Sequence, residues 1–201
     1  MKKFLPFFSY LFHPIFIPLF GTFFYVLLDS HYFTLLQYLI LFLQIIIVTI
    51  LLPISFFYLL RTFGKIKNMM LSDISHRKIP LLLQLILFGV LIEKSITVDR
   101  FPSLYFFFVA GLFSTIFAFF LLYAKIKASI HLIGISSLTV FIIGLSIHNQ
   151  IYAVNLIAFF VIINGVVASS RLEMNAHSNK ELLIGFICGV IPQSALLYIW
   201  L

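Results

Sequence analysis

The residues best suited to chemistry in this sequence are two histidines and one glutamate. His177 and Glu181 are four positions apart, so a helix would place both side chains on one face. A carboxylate at that position can accept a hydrogen bond from one ring nitrogen, which fixes the tautomer and leaves the other nitrogen free to attack. His131 comes from a different segment and could protonate a leaving oxygen. The pattern therefore favours nucleophilic catalysis by a histidine.

Basic residues accompany these groups in three polar segments, each predicted to lie just before an apolar helix: 75–80, 127–134 and 170–181. The start of a helix offers free N–H groups and a partial positive charge, which attract anions. Arg171 can form two parallel hydrogen bonds to phosphate oxygens, and it can neutralise charge that develops during transfer. If the three segments meet, they form an anion site for which phosphate is a good ligand.

The elements that must position these residues are predicted to be transmembrane helices. Hydrophobic residues make up 63% of the 201 and charged residues only 9%, which is too few charges to cover a soluble surface. Because a bilayer span needs about 20 apolar residues, we predict one all-α membrane domain over 1–201, with six or seven transmembrane helices. The first stretch contains three prolines and is expected to be a kinked span or a re-entrant segment. The seven apolar stretches are 4–28, 33–60, 79–97, 104–124, 131–147, 151–168 and 181–200.

The basic residues are distributed unevenly between the two faces of this bundle. If all seven stretches span the membrane, every Lys and Arg except Lys94 and Arg100 lies on the face that carries the three polar segments. The positive-inside rule then places this face in the cytoplasm. A re-entrant first stretch would reverse that assignment. Because loops of this kind account for the net charge of +7, we expect the bilayer and its lipids as partners and no nucleic acid.

The third polar segment resembles the last signature of the type-2 phosphatidic acid phosphatase superfamily, SRxxxxxHxxxD. Here it reads SRLEMNAHSNKE, with Glu181 at the acidic position. The second segment is similar to the PSGH signature at Ser129 and His131, with Ala128 in place of Pro and Ile130 in place of Gly. The first segment resembles KxxxxxxRP faintly, through its arginine and proline. The resemblance covers about 65–190, in the order of the family.

The resemblance implies a fold, an activity and a role for each residue. The fold would be the phosphatase core, and the activity would be hydrolysis of a lipid phosphate or diphosphate, with no metal or other cofactor. His177 would be the nucleophile that forms a phosphohistidine, Glu181 its orienting partner and His131 the general acid. The phosphate would be held by Arg171, Arg77 and Ser129, and Lys78 or Lys67 would stand in for the missing lysine of the first signature. The protein would lie in a bacterial inner membrane.

Other interpretations stay open at this point. One is an inactive relative that binds phospholipid headgroups or serves as a subunit of a membrane assembly. A small transporter is disfavoured because the polar residues lie at one interface and not at the midplane. A histidine metal site lacks the usual HxxxH or HExxH spacing. The remaining histidines are interpreted as interfacial anchors: His13, His31, His76 and His148. Phosphatidate, phosphatidylglycerol phosphate, polyprenyl diphosphate and lipid A phosphate all remain candidate substrates.

Overall fold

The described part of the chain is all-helical. The computed structural model describes residues 4–28, 33–63 and 74–201, and it contains no strand within those ranges. Six helical units are long and apolar enough to cross a membrane: Leu5–Leu28, Leu35–Thr62, Pro102–Tyr123, Ile130–His148, Val154–Glu173 and Asn179–Trp200. The prediction of a multi-pass helical membrane protein is therefore confirmed at this level.

The first two of these units are each interrupted. The first consists of α1 (Leu5–Leu11), a 3₁₀ turn at Pro14–Phe16 and α2 (Ile17–Leu28). His13 is extended ahead of Pro14, as expected for a residue that precedes proline. The predicted proline interruption is thus present, as a kink within one candidate span. The second unit joins α3 (Leu35–Ile46) to α4 (Leu52–Thr62) through a π-helical turn at Ile47–Leu51, which ends two residues before Pro53.

The remaining helices form the body of the bundle. They are α5 (Ile74–Lys94), α6 (Pro102–Tyr123), α7 (Ile130–His148), α8 (Val154–Glu173) and α9 (Asn179–Trp200). α5 covers most of the third predicted stretch but carries charged residues at both ends, and it is not among the six candidate spans.

Helix α7 lies at the centre of the bundle and is the most buried of the six spans. It packs closely on α9, where a methyl group added at Gly189 would collide with the carbonyl oxygen of Ile133 and the hydroxyl of Ser136. The hydroxyl of Ser137 donates a hydrogen bond to the Gly189 carbonyl at 3.1 Å. Gly185 and Gly189 therefore allow close packing of α9 within the bundle. Large apolar side chains such as Leu35, Phe120 and Ile162 point outward, as lipid contact requires.

Candidate functional site

The two linkers that carry the strongest motifs lie side by side at one end of the bundle. Each linker follows a helix, α6 or α8, and takes a positive φ just after it, at Lys125 (59°) and Asn175 (51°). This left-handed conformation turns the chain out of the helix. The Nζ of Lys127 donates to the carbonyl oxygen of Ala176 at 3.0 Å. The backbone N–H of Ser129 donates to the carbonyl oxygen of Glu181 at 3.2 Å. These contacts hold the start of α7 against the start of α9.

Arg77 brings α5 to the same place. Arg77 is 7% exposed, and its Nη1 donates to the carbonyl oxygen of Ala128 at 3.3 Å. The first polar segment was expected to precede a helix, but α5 begins at Ile74, so that segment lies inside the helix. The three segments nevertheless converge as the sequence predicted. Burial lowers the pKa of Arg77 to about 10, helped by the charge of Arg171, and Arg77 still carries its charge at neutral pH.

His177 and Glu181 form the predicted pair. Nδ1 of His177 lies 3.2 Å from Oε2 of Glu181, and His177 is 8% exposed. The same carboxylate oxygen accepts the backbone N–H of Ser178 at 3.0 Å, while the Ser178 hydroxyl accepts the N–H of Glu181 at 3.4 Å. This reciprocal arrangement is a capping box at the start of α9. Glu181 therefore caps the helix and also accepts the Nδ1 proton, which leaves the lone pair on Nε2.

The surroundings of His177 keep its ring neutral. Burial lowers the pKa of His177 to about 4, and the positive charges of Arg77, Arg171 and Lys127 act in the same direction, against the opposing charge of Glu181. At neutral pH the imidazole is therefore uncharged, as a nucleophile must be. The same positive charges that hold back protonation would attract an anion to this ring.

Arg171 reaches the cluster from the end of α8 and not from the start of α9. The sequence placed 170–181 in one segment ahead of a helix, but α8 continues through Glu173, since Arg, Leu and Glu all favour helix. Nη1 of Arg171 contacts the sulfur of Met174 at 3.7 Å, and the charge of Arg171 acts on both His131 and His177.

Two polar atoms of this cluster are buried without a partner in the part of the chain that the structure describes. They are Nε of Arg171 and the hydroxyl oxygen of Ser129. Ser129 is fully buried and precedes α7, yet its side chain does not cap that helix. Buried polar groups are nearly always paired, so two orphan donors in one charged cluster indicate a place for a ligand with acceptor oxygens.

The N-terminal segment completes the cluster through His131. The ring nitrogen Nε2 of His131 lies 3.2 Å from the carbonyl oxygen of Ser9, and because a carbonyl only accepts, Nε2 carries a proton. The hydroxyls of Ser9 and Ser170 are 2.6 Å apart, which ties α1 to α8 next to Arg171. His131 is thereby oriented by a backbone carbonyl, much as His177 is oriented by Glu181.

His13 also lies beside the cluster, which its sequence context did not predict. It was interpreted as an interfacial anchor, but its ring centroid lies 5.2 Å from that of His131, and it is within electrostatic range of Arg171. The available signal was a polar residue directly before proline in the middle of an apolar stretch. That signal predicts a break in a helix, but it does not predict which residues lie next to the break.

Of the two candidate lysines, Lys78 is not brought into the cluster. Lys78 is exposed, and its Nζ lies 4.8 Å from the ring centroid of Tyr123. Lys67 lies outside the described residues. Lys127, which the sequence did not identify as a site residue, is half-buried between the two linkers, and its charge acts on His177.

The arrangement can bind a tetrahedral oxyanion and present a neutral imidazole nitrogen to it. Three cationic side chains surround His177, and two unpaired donors lie among them. Among the described residues, no group of three or more His, Cys, Asp and Glu side chains is placed to hold a metal ion. Comparison with protein-family models, curated proteins and solved structures found no match to this chain.

Proposed function

We propose that this protein is a membrane phosphatase that hydrolyses lipid phosphates or diphosphates through a phosphohistidine at His177, as a divergent member of the type-2 phosphatidic acid phosphatase superfamily. The observation that carries the proposal is the buried His177–Glu181 pair, surrounded by Arg77, Arg171 and Lys127. The unpaired Nε of Arg171 and hydroxyl of Ser129 supply further donors for phosphate oxygens. Positive charge therefore surrounds the place where the transition state would concentrate negative charge.

In the first step, Nε2 of His177 attacks phosphorus in line with the leaving oxygen. An N–P bond forms, the P–O bond to the lipid breaks, and the leaving oxygen takes a proton from His131, whose protonated form is favoured by the negative charge of the bound phosphate. Nε2–H of His131 stays on the Ser9 carbonyl, so the transferable proton is the one on Nδ1. Glu181 stabilises the positive charge that the phosphorylated His177 ring acquires.

In the second step, a water molecule attacks the phosphorus of the phosphohistidine. His131, now neutral, takes a proton from this water, the N–P bond breaks and phosphate leaves. His177 returns to its neutral form and His131 to its charged form. Each residue therefore ends the cycle in the state in which it began.

A lipid substrate is favoured by what lies beneath the cluster. A narrow cavity of about 50 Å³ is lined mainly by apolar side chains of α2, α5, α6 and α7. It reaches Leu81, one turn after Arg77, and Ile130, directly after Ser129. A phosphate bound among the cations would therefore have an apolar path beside it for the start of a hydrocarbon tail.

A second candidate function is binding of a phospholipid headgroup without hydrolysis. One observation favours it: the backbone N–H of Ser129, which directly precedes Ile130, is already donated to the Glu181 carbonyl. Ile130 stands where the family signature has glycine, so the backbone there is less free to present its N–H to phosphate.

The test is phosphate release from a panel of lipids by the purified protein in detergent, with and without EDTA. The panel contains phosphatidate, phosphatidylglycerol phosphate, a polyprenyl diphosphate and lipid A. We expect release from at least one lipid, unchanged by EDTA and reduced to background in His177→Ala. Binding of a lipid without release would favour the second candidate. Release that persists in His177→Ala would contradict the proposed mechanism.

A further inference from the structure

His13 is held in a defined tautomer at the break between α1 and the 3₁₀ turn. Its Nδ1 accepts the backbone N–H of Ile15 at 3.3 Å, which caps the turn. Nδ1 therefore holds no proton in this arrangement, and the proton of the neutral ring is on Nε2. No described residue accepts a hydrogen bond from that Nε2–H, and the side chain is exposed. His13 thus offers a fixed, unused donor.

This donor lies beside the catalytic cluster. The ring of His13 meets that of His131 nearly at right angles, at 88° and 5.2 Å between centroids. The ring of Phe16, the last residue of the turn, also lies near the His13 ring, at 6.5 Å between centroids. Arg171, the residue with the unpaired Nε, is close enough for its charge to act on His13.

The fold fixes this position from two directions. The hydroxyl of Ser9 is bonded to that of Ser170, which holds the chain just ahead of His13 on α8. Just after His13, Ile17 packs directly on Gly134, where an added Cβ would lie 2.8 Å from Ile17 Cγ1. Gly134 is one turn after His131, so this contact keeps the kink next to the start of α7.

We propose that His13 is a phosphate-binding residue of this site, whose neutral Nε2–H donates a hydrogen bond to an oxygen of the bound phosphate group. The inference rests on the proposed function for its ligand, but it concerns binding and not hydrolysis. It adds the kinked N-terminal segment to the three polar segments that form the site. The break at Pro14 would then serve to position His13 for phosphate binding.

Two substitutions separate the two nitrogens of His13. The amide oxygen of asparagine can stand in for Nδ1 and accept the Ile15 N–H, but H13N has no donor at the position of Nε2. The longer amide of H13Q reaches the position of Nε2 and keeps a donor, but it loses the cap. His148, at the opposite end of α7 against Trp200, provides the matched control H148N.

The experiment measures the Kd of inorganic phosphate for the full-length protein in detergent, by titration followed with phosphorus NMR. A hydrogen bond to a charged group predicts that H13N raises this Kd by about tenfold or more, while H13Q and H148N stay within about threefold of the parent. In parent protein labelled with ¹⁵N-histidine, phosphate should also shift the Nε2 resonance that H13Q lacks. This second measurement does not depend on how well H13N folds.

The inference is overturned if H13N binds phosphate as tightly as the parent, if H13Q is weakened more than H13N, or if the parent binds no phosphate. It is also overturned if phosphate leaves the His13 resonance unmoved. Its failure is distinct from that of the proposed function. If the parent binds phosphate through His13 but releases none from any lipid, this inference stands and the proposed phosphatase activity is contradicted. If the parent is an active phosphatase but H13N binds phosphate as tightly as the parent, the proposed function stands and this inference is overturned.

Discussion

A single carboxylate oxygen of Glu181 makes two contacts with different roles. Its Oε2 accepts the Ser178 N–H at 3.0 Å and lies 3.2 Å from Nδ1 of His177. The first contact stabilises the start of α9, and the second orients the imidazole. A cap needs only an acceptor, but a ring that becomes positively charged on phosphorylation also benefits from a negative charge. The two roles can therefore be separated by changing charge while keeping shape.

We predict that Glu181→Gln keeps the fold and loses most of the activity. The amide oxygen can still accept the Ser178 N–H, so thermal stability in detergent should change little. Removal of the charge next to His177 should lower kcat by about 100-fold or more, in the range of an acid–base contribution. The matched control is Ser178→Ala, which removes the cap, should cost about 1 kcal/mol of stability and should leave kcat closer to the parent value. Parent-level kcat in Glu181→Gln would refute the orienting role.

At this scale the sequence predicts local pairs well and distant ones poorly. The spacing of His177 and Glu181 predicted their contact, although His177 precedes the N-cap Ser178 and does not lie on α9 itself. His13 could not be placed the same way, since its partner is 118 positions further along the chain and depends on how α2 packs on α7. The position of Lys127 could not be predicted for the same reason, because the carbonyl that accepts its hydrogen bond is on another linker.

The contact between α7 and α9 determines where the candidate catalytic residues lie. Gly185 packs directly against the residue ahead of α7, and a Cβ added there would lie 2.6 Å from the carbonyl oxygen of Ser129. That neighbour is backbone, which cannot swing aside as a flexible side chain would. The start of α7, with Ser129 and His131, is therefore seated on the first turns of α9, with His177 and Glu181.

We predict that Gly185→Ala lowers both thermal stability and activity, because the two helix starts must separate to admit one methyl group. The matched control is Gly165→Ala in α8, where nothing lies within 4 Å of the added Cβ. Alanine favours helix over glycine by about 1 kcal/mol, so this control should be neutral or slightly stabilising. Melting curves and phosphate release from one lipid, measured on both variants, test the prediction. Equal behaviour of the two variants would show that this packing does not position the site.

Hydropathy predicted the ends of most described helices to within a few residues. It did not predict which candidate site residues lie on a helix and which lie in a linker. The seventh stretch was predicted as 181–200, and α9 is Asn179–Trp200. The sixth was predicted to end at 168, but α8 runs to Glu173, because polar helix formers continue a helix beyond the apolar run. Ser170 and Arg171 are consequently on the last turn of α8, a position that apolar length alone does not predict.

At the scale of the whole molecule, one end of the bundle carries the site. The α6–α7 and α8–α9 linkers are joined there by hydrogen bonds, and α1 reaches the same end through Ser9 and Ser170. The α7–α8 connection, which contains the highly exposed Tyr152, is at the other end.

We predict that cysteines at these two ends react from opposite sides of the membrane. Glu173→Cys and Tyr152→Cys, each in a Cys188→Ala background, are labelled in intact cells with an impermeant thiol reagent. The excess of Lys and Arg predicts that position 152 reacts and position 173 is protected until the cells are lysed. The reverse pattern would place the site on the outer face. Equal labelling of both positions in intact cells would contradict the alternating topology.

The central claim is that His177 carries the phosphate between the two chemical steps. The most direct test is to mix the purified protein with a ³²P-labelled lipid phosphate that it hydrolyses, stop the reaction in alkali within one turnover, and locate the label by mass spectrometry of peptides. We predict phosphate on His177, lost on mild acid treatment as expected for a phosphoramidate, and no label in His177→Ala. Hydrolysis that proceeds with no phosphate on His177, or with the label on another residue, would contradict the account.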